Sequence, residues 1–323
     1  MKKNQLFQLA AATLSIACIM ASCKKDQTTP NNSEQMTAPQ DKMVQTPYGM
    51  VPAAQVFEVD NTTTVRITNG RLQKVEIASG KMIQDMGALS KEELTATNPY
   101  EYAAKFKSAT GAGTERIASA AADGTNYPGY TVSAAASNIK SFSTKWIVPD
   151  VPQQASSTVT TFLWNGISRG SLQPVLMWGA TAGGAFYAIA NWYFLGGKYF
   201  HGKYVRVSPG TALQGVITYI SDNGTDWVYK ESFTGYPAAD VMVTRPTEAT
   251  GVIECWEAYT SDITRWPNDP LVRMKNIKLT TRTGTPPATF NWSVSGGPVT
   301  TPSGNNSVIV NSSASNGEID FYF

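Results

Sequence analysis

Histidine is nearly absent: the chain of 323 residues has one, His201. A single imidazole excludes two-histidine metal sites and the HExxH zincins. A Ser-His-Asp enzyme would depend on that one residue, which lies in Lys198-Tyr199-Phe200-His201-Gly202-Lys203 and reads as a solvated loop. Cysteine is scarce too. Cys18, Cys23 and Cys255 can build neither a disulfide scaffold nor a four-thiolate zinc site. No metal and no cofactor are expected. Charged residues make up 15% of the chain with a formal net charge of +2, against about 25% charged in ordinary domains. That balance gives no electrostatic case for nucleic acid as a partner.

Long apolar runs are also missing. The stretch from Leu6 to Met20 is shorter than the ~20 residues a membrane-spanning helix needs. It follows Lys2 and Lys3 and precedes Met20-Ala21-Ser22-Cys23, a layout that reads as a signal peptide. Small residues directly before a cysteine resemble a bacterial lipobox. Residues 1–22 are expected to be a lipoprotein signal peptide and Cys23 the lipidated first residue of the mature chain. The protein is then expected at the bacterial cell envelope, touching the membrane through that lipid alone. Residues 23–45 are polar with two prolines and no apolar period, and read as a flexible tether. After processing, Cys255 would be the only free thiol.

What the sequence does have is aromatic side chains, 11% of the residues, which suits β structure. All eight tryptophans lie between Trp146 and Trp292. Residues 46–127 have none and are richer in Ala, Lys and Glu. That change marks a boundary near Ala122–Gly129. Within 46–127, Val56–Val59, Thr63–Thr68 and Leu72–Ile77 read as short strands, the last two joined by Asn69-Gly70. Two helices follow. Ser90-Lys91-Glu92-Glu93 is a capping box, and Asn98-Pro99-Tyr100-Glu101 offers a cap, a proline at the first helical position and an acid in the first turn. No catalytic constellation occurs here. The segment is expected to be a small α+β accessory module, or a prosegment covering the cleft of the second half.

Residues 128–323 read as all-β. Short apolar or alternating segments, among them Thr158–Trp164, Val175–Trp178, Ala185–Phe194, Ala212–Ile220, Gly251–Tyr259 and Met274–Thr281, recur between turn signals such as Asp222-Asn223-Gly224. An antiparallel β-sandwich of the concanavalin or jelly-roll kind is expected.

Two segments could carry chemistry. In Gly251–Tyr259, strand alternation puts Ile253, Cys255, Glu257 and Tyr259 on one face and Val252, Glu254, Trp256 and Ala258 on the other. Glu254 and Glu257 therefore cannot form a paired carboxylate site of the glycosidase kind. An acid in so apolar a strand needs a partner or a cleft. The second segment is Ser171-Leu172-Gln173-Pro174, whose carboxamide can both donate and accept.

Taken in order, Trp164-Asn165-Gly166-Ile167, Leu172-Gln173, Asn191-Trp192-Tyr193, Ser208-Pro209-Gly210 and Ile253-Glu254-Cys255-Trp256-Glu257 resemble the eqolisin, or glutamic peptidase, family over roughly residues 138–260. The chain departs from the family pattern at Ser168, Asn191 and Cys255. The resemblance implies a β-sandwich endopeptidase with a Gln/Glu dyad, carried over by position to Gln173 and Glu254. Glu254 would activate a water and Gln173 would donate to the oxyanion. Peptide or protein would be the substrate, with a monomer expected. Trp164, Trp192 and Trp256 are candidates to line the cleft, or else to pack the core. A carbohydrate-binding or adhesin-like surface lipoprotein without catalysis is the alternative on the same architecture.

Overall fold

The computed structural model describes residues 42–109, 129–260, 262–296 and 307–323; Cys23 and the expected signal peptide, residues 1–22, lie outside them. Residues from Asp41 onward form one compact unit. It opens with β1 (Met43–Thr46) and β2 (Gly49–Pro52), a hairpin, so the end of the expected tether is strand. Then come β3 (Val56–Glu58), β4 (Thr63–Thr68), β5 (Arg71–Glu76) and β6 (Met82–Ala88). Both expected helices form: α1 (Lys91–Thr95) behind a complete Ser90/Glu93 capping box, and α2 (Pro99–Ala109) behind Asn98.

After residue 128 the chain is strand and turn: β7 (Gly129–Ala134), β8 (Ile139–Ile147), β9 (Thr161–Ile167), β10 (Leu172–Gly179), β11 (Gly184–Leu195), β12 (Lys198–His201) and β13 (Val205–Val207). These are followed by β14 (Ala212–Asp222), β15 (Trp227–Phe233), β16 (Val241–Arg245), β17 (Val252–Ala258), β18 (Leu271–Thr281), β19 (Ser293–Gly296), β20 (Ser307–Asn311) and β21 (Gly317–Tyr322). His201 ends a strand instead of sitting in a solvated loop; its ring packs at a tilt against Trp192 and Tyr204, 4.8 and 4.6 Å between centroids.

Two sheets face each other. The nine-stranded sheet runs β19-β7-β17-β9-β10-β11-β12-β3, with β13 also on β11; the ten-stranded sheet runs β20-β21-β18-β8-β14-β15-β16-β4-β5-β6. Every described pairing among strands after residue 128 is antiparallel, as expected of the sandwich. The N-terminal part is not hung beside it. Strand β3 adds in parallel to β12 at the edge of one sheet and β4 in parallel to β16 in the other. A parallel pair needs a long crossover; here the chain between β3 and β12 carries both helices and strands β4 to β11, and the chain between β4 and β16 carries everything from β5 to β15.

The interior has two layers. Between the sheets lie Leu163, Ile167, Leu172, Leu176, Tyr193, Val252 and Trp256 from one side and Phe142, Trp146, Ile217, Tyr229 and Phe233 from the other. On the outer face of the nine-stranded sheet, Phe162, Trp164, Val175, Met177, Trp192, Phe194 and Cys255 pack against Tyr48, Val51, Tyr100 and Ala103. The β1–β2 hairpin and α2 thus form a cover over that face. Strands β9 and β10 are buried along both faces.

Candidate functional site

The turn that delivers Gln173 is unusual. Ser168, Arg169 and Gly170 all have φ between 56° and 73°, a region that costs a non-glycine residue about 1 kcal/mol. A side chain at Gly170 would lie 2.8 Å from Gln173 Nε2 and 2.9 Å from both Trp164 Cη2 and the Tyr100 hydroxyl. Four residues from three parts of the chain therefore converge at one point. Gln173 projects to the outer face, as do its β10 neighbours Val175 and Met177. It is fully buried, and its Nε2 donates to the Tyr100 hydroxyl at 3.0 Å. Its Oε1 has no partner among the described residues.

Glu254 is elsewhere. Its strand neighbours Val252, Trp256 and Ala258 all face the inter-sheet layer, and Glu254 accepts a hydrogen bond from Thr144 of β8 in the opposite sheet. Gln173 and Glu254 therefore lie on opposite sides of the same sheet, and the expected dyad is not assembled. The reason is strand parity. Motif order along the chain does not count residues on the two strands against one register.

The register shows what does face Gln173. Ile167 pairs with Leu172 and Trp164 with Val175, which puts Gly166 opposite Gln173; Gly166 in turn pairs with Ile253 on β17. The outer-face position across Gly166 from Gln173, two strands or about 10 Å away, is thus held by Ile253 and not by an acid. The acid that does share the outer face is Glu257. It pairs with Phe162, four residues along, or about 13 Å down the strand. Burial raises its carboxyl to about 8, opposed by the Cys255 thiol, whose Sγ donates to Oε1 at 3.6 Å, and by the nearby Trp164 indole.

The tryptophans divide. Trp164 and Trp192 flank Gln173 on the outer face, under the cover; the Trp164 indole lies against the Glu257 carboxyl, and the Trp192 indole nitrogen has no partner among the described residues. Trp192 is the direct cross-strand neighbour of Gln173. Trp256 packs between the sheets, against Tyr130 at 5.5 Å, Trp266 at 4.7 Å and Phe323 at 4.8 Å. It is a core residue and cannot line a groove on the outer face.

Polar contacts of the cover are few. Besides Tyr100 to Gln173, the Tyr199 hydroxyl donates to the Pro99 carbonyl, Tyr259 to the Thr46 carbonyl and Thr181 to the Gln45 carbonyl. Lys198 pairs with Glu93 of α1 at 2.8 Å.

The inter-sheet layer holds polar residues that sequence reading missed. Glu231 of β15 is fully buried, and Asn165 and Asn191 are buried with it. Burial pushes the carboxyls of Glu254 and Glu231 well up. Asn165 Nδ2 donates to the Gly215 carbonyl, and Asn191 Nδ2 to the carbonyls of Glu231 and Ala239. A Cβ at Gly215 would come within 2.2 Å of Asn165 Oδ1, so this contact requires glycine. The only sequence signal was polarity inside otherwise apolar strands.

The fold and its residues define a β-sandwich with one sheet face covered by its own N-terminal segment. No protein-family model and no curated protein sequence matches the chain. Among solved structures it is similar to scytalido-glutamic peptidase bound to a peptide-based transition state analog, with TM-score 0.39 and 15% identity over 61% of this chain and 99% of that one. A second structure of that peptidase, with a transition state analog inhibitor, gives TM-score 0.37 and 16% identity over 62% and 98% of the two chains. The likeness is one of fold and assigns no residue a role.

Proposed function

We propose that the outer face of the nine-stranded sheet binds an extended polypeptide, and that the cover occupies this face in its absence. One observation carries the reading. Beneath the cover, Gln173 Oε1 and Trp192 Nε1 are buried without partners, each a loss of about 1–3 kcal/mol. A polypeptide backbone brings both N–H and C=O groups and can satisfy an acceptor and a donor on one face. With Glu254 behind the sheet and Ile253 opposite Gln173, the face is suited to holding a chain more than to cutting it. The test is to incubate denatured casein with the full chain, intact and nicked between residues 110 and 128, from pH 2 to 8. Casein retained by the nicked protein, without new N-termini, supports the reading; no retention by either form rejects it.

A second reading keeps the expected endopeptidase. It rests on Glu257, which shares the face with Gln173 and has a carboxyl near 8, within the range of a general acid or base. New casein N-termini that vanish in both Glu257→Gln and Gln173→Ala would establish it.

A further inference from the structure

On the far side of the molecule, an open groove of about 310 Å³ lies between the β4–β5 hairpin and the tip of the β14–β15 hairpin. It belongs to neither the cover nor the residues around Gln173. Val75, Val228 and Met242 line it with apolar groups, and Arg66, Asp226 and Thr244 add polar ones. The hairpin tip is fixed, because Asn223 Oδ1 accepts from the Thr225 and Asp226 backbone amides.

Two groups in the groove lack protein partners. Arg66 is half-buried, and its Nε is out of solvent without a hydrogen bond. The half-buried Asp226 carboxylate forms no hydrogen bond or ion pair among the described residues. Arg66 and Asp226 line one groove without pairing with each other. The other acids there are engaged: Glu76 accepts from Ser79, and Asp222 from Tyr219.

We propose that this groove is a binding site for a neutral sugar. A ligand that satisfies both groups must offer an acceptor to the guanidinium and a donor to the carboxylate. Adjacent hydroxyls do both, since each one donates and accepts. A net-charged ligand would leave one of the two groups opposed. The apolar lining suits the C–H face of a pyranose ring, and the volume is at the lower end for small-ligand sites.

The full chain is screened on an array of neutral hexose and pentose oligomers, and hits are titrated by calorimetry. Binding that weakens at least tenfold in both R66A and D226A, and is unchanged in Q173A, is the expected result. Failure to bind any arrayed glycan overturns the proposal, as does binding indifferent to R66A and D226A. Thermal melting checks that the variants fold, and should R66A melt early, R66K replaces it. The lysine keeps the charge but not the planar fork, so the same tenfold loss is expected, and undiminished binding by R66K overturns the proposal.

Discussion

Raising the pH should destabilise this protein, and Glu257 allows the size of the effect to be worked out. Its carboxyl titrates at 4.5 in an exposed chain and at about 8 in the folded one, chiefly through burial. Between those values the folded state holds a proton that the unfolded state has released. Stability from this group is therefore complete below pH 4.5 and falls as pH rises, until about pH 8. At about 1.36 kcal/mol per pH unit the loss is roughly 5 kcal/mol, against a usual total of about 5–15 kcal/mol. Glu231 and Glu254 shift in the same direction for the same reason. Asp60, Glu93 and Asp262 are held below their ordinary values, and their contribution disappears only on strong acidification. Maximum stability is expected near pH 4–5. Urea unfolding at pH 4.5 and 8.5 measures the difference for the wild type and for Glu257→Gln, whose neutral amide cannot titrate. An unchanged urea midpoint in the wild type, or an undiminished pH dependence in the variant, would refute the reasoning.

Tyr100→Phe leaves the buried Gln173 Nε2 without its acceptor; at about 1–3 kcal/mol, exchange of the α2 amides with solvent should rise roughly 5- to 150-fold. Ile253→Glu places a carboxylate across Gly166 from Gln173. In protein nicked between residues 110 and 128 it should release new N-termini from denatured casein at pH 4, at least tenfold faster than the Ile253 protein, and equal rates would reject the register argument. If Cys23 carries lipid, as its setting suggests, metabolic labelling with an alkynyl fatty acid should mark the wild type and not Cys23→Ser.

Much of the fold was legible because local signals were strong. The capping box at Ser90, the Asn98-Pro99 helix start, the Asn69-Gly70 hairpin and the strand in Gly251–Tyr259 all formed where the residues indicated. The parallel additions of β3 and β4 were not legible, since nothing local tells an N-terminal strand that its partner is β12 or β16. The site was legible in part. Alternation within one strand separated Glu254 from Glu257 correctly, but the side of the sheet that Gln173 shares depends on the registers of β9 with β10 and with β17. In a sheet exposed on one side, polar residues mark the outer face. Strands β9 and β10 are buried on both sides, so that marker is lost.

The same double burial raises the question of which polar face is architecture and which is a site, because both carry unpartnered atoms. In the inter-sheet layer the unpartnered Asn165 Oδ1 lies on the strand residue paired with Glu254, whose Oε2 is unpartnered as well. Cross-strand neighbours stand about 5 Å apart, and a carboxyl kept protonated by burial supplies the missing donor. That layer can satisfy itself at low pH with groups already present. The outer face has no such remedy at Trp192. The indole N–H of Trp192 needs an acceptor, and Gln173 Oε1, beside it, is not bonded to it. The cover offers that face aromatic rings, the Tyr100 hydroxyl bonded to Gln173, and the Tyr48 hydroxyl, which bonds neither group. A deficit that protonation closes belongs to the fold; one that only an incoming chain of carbonyls and amides can close belongs to binding.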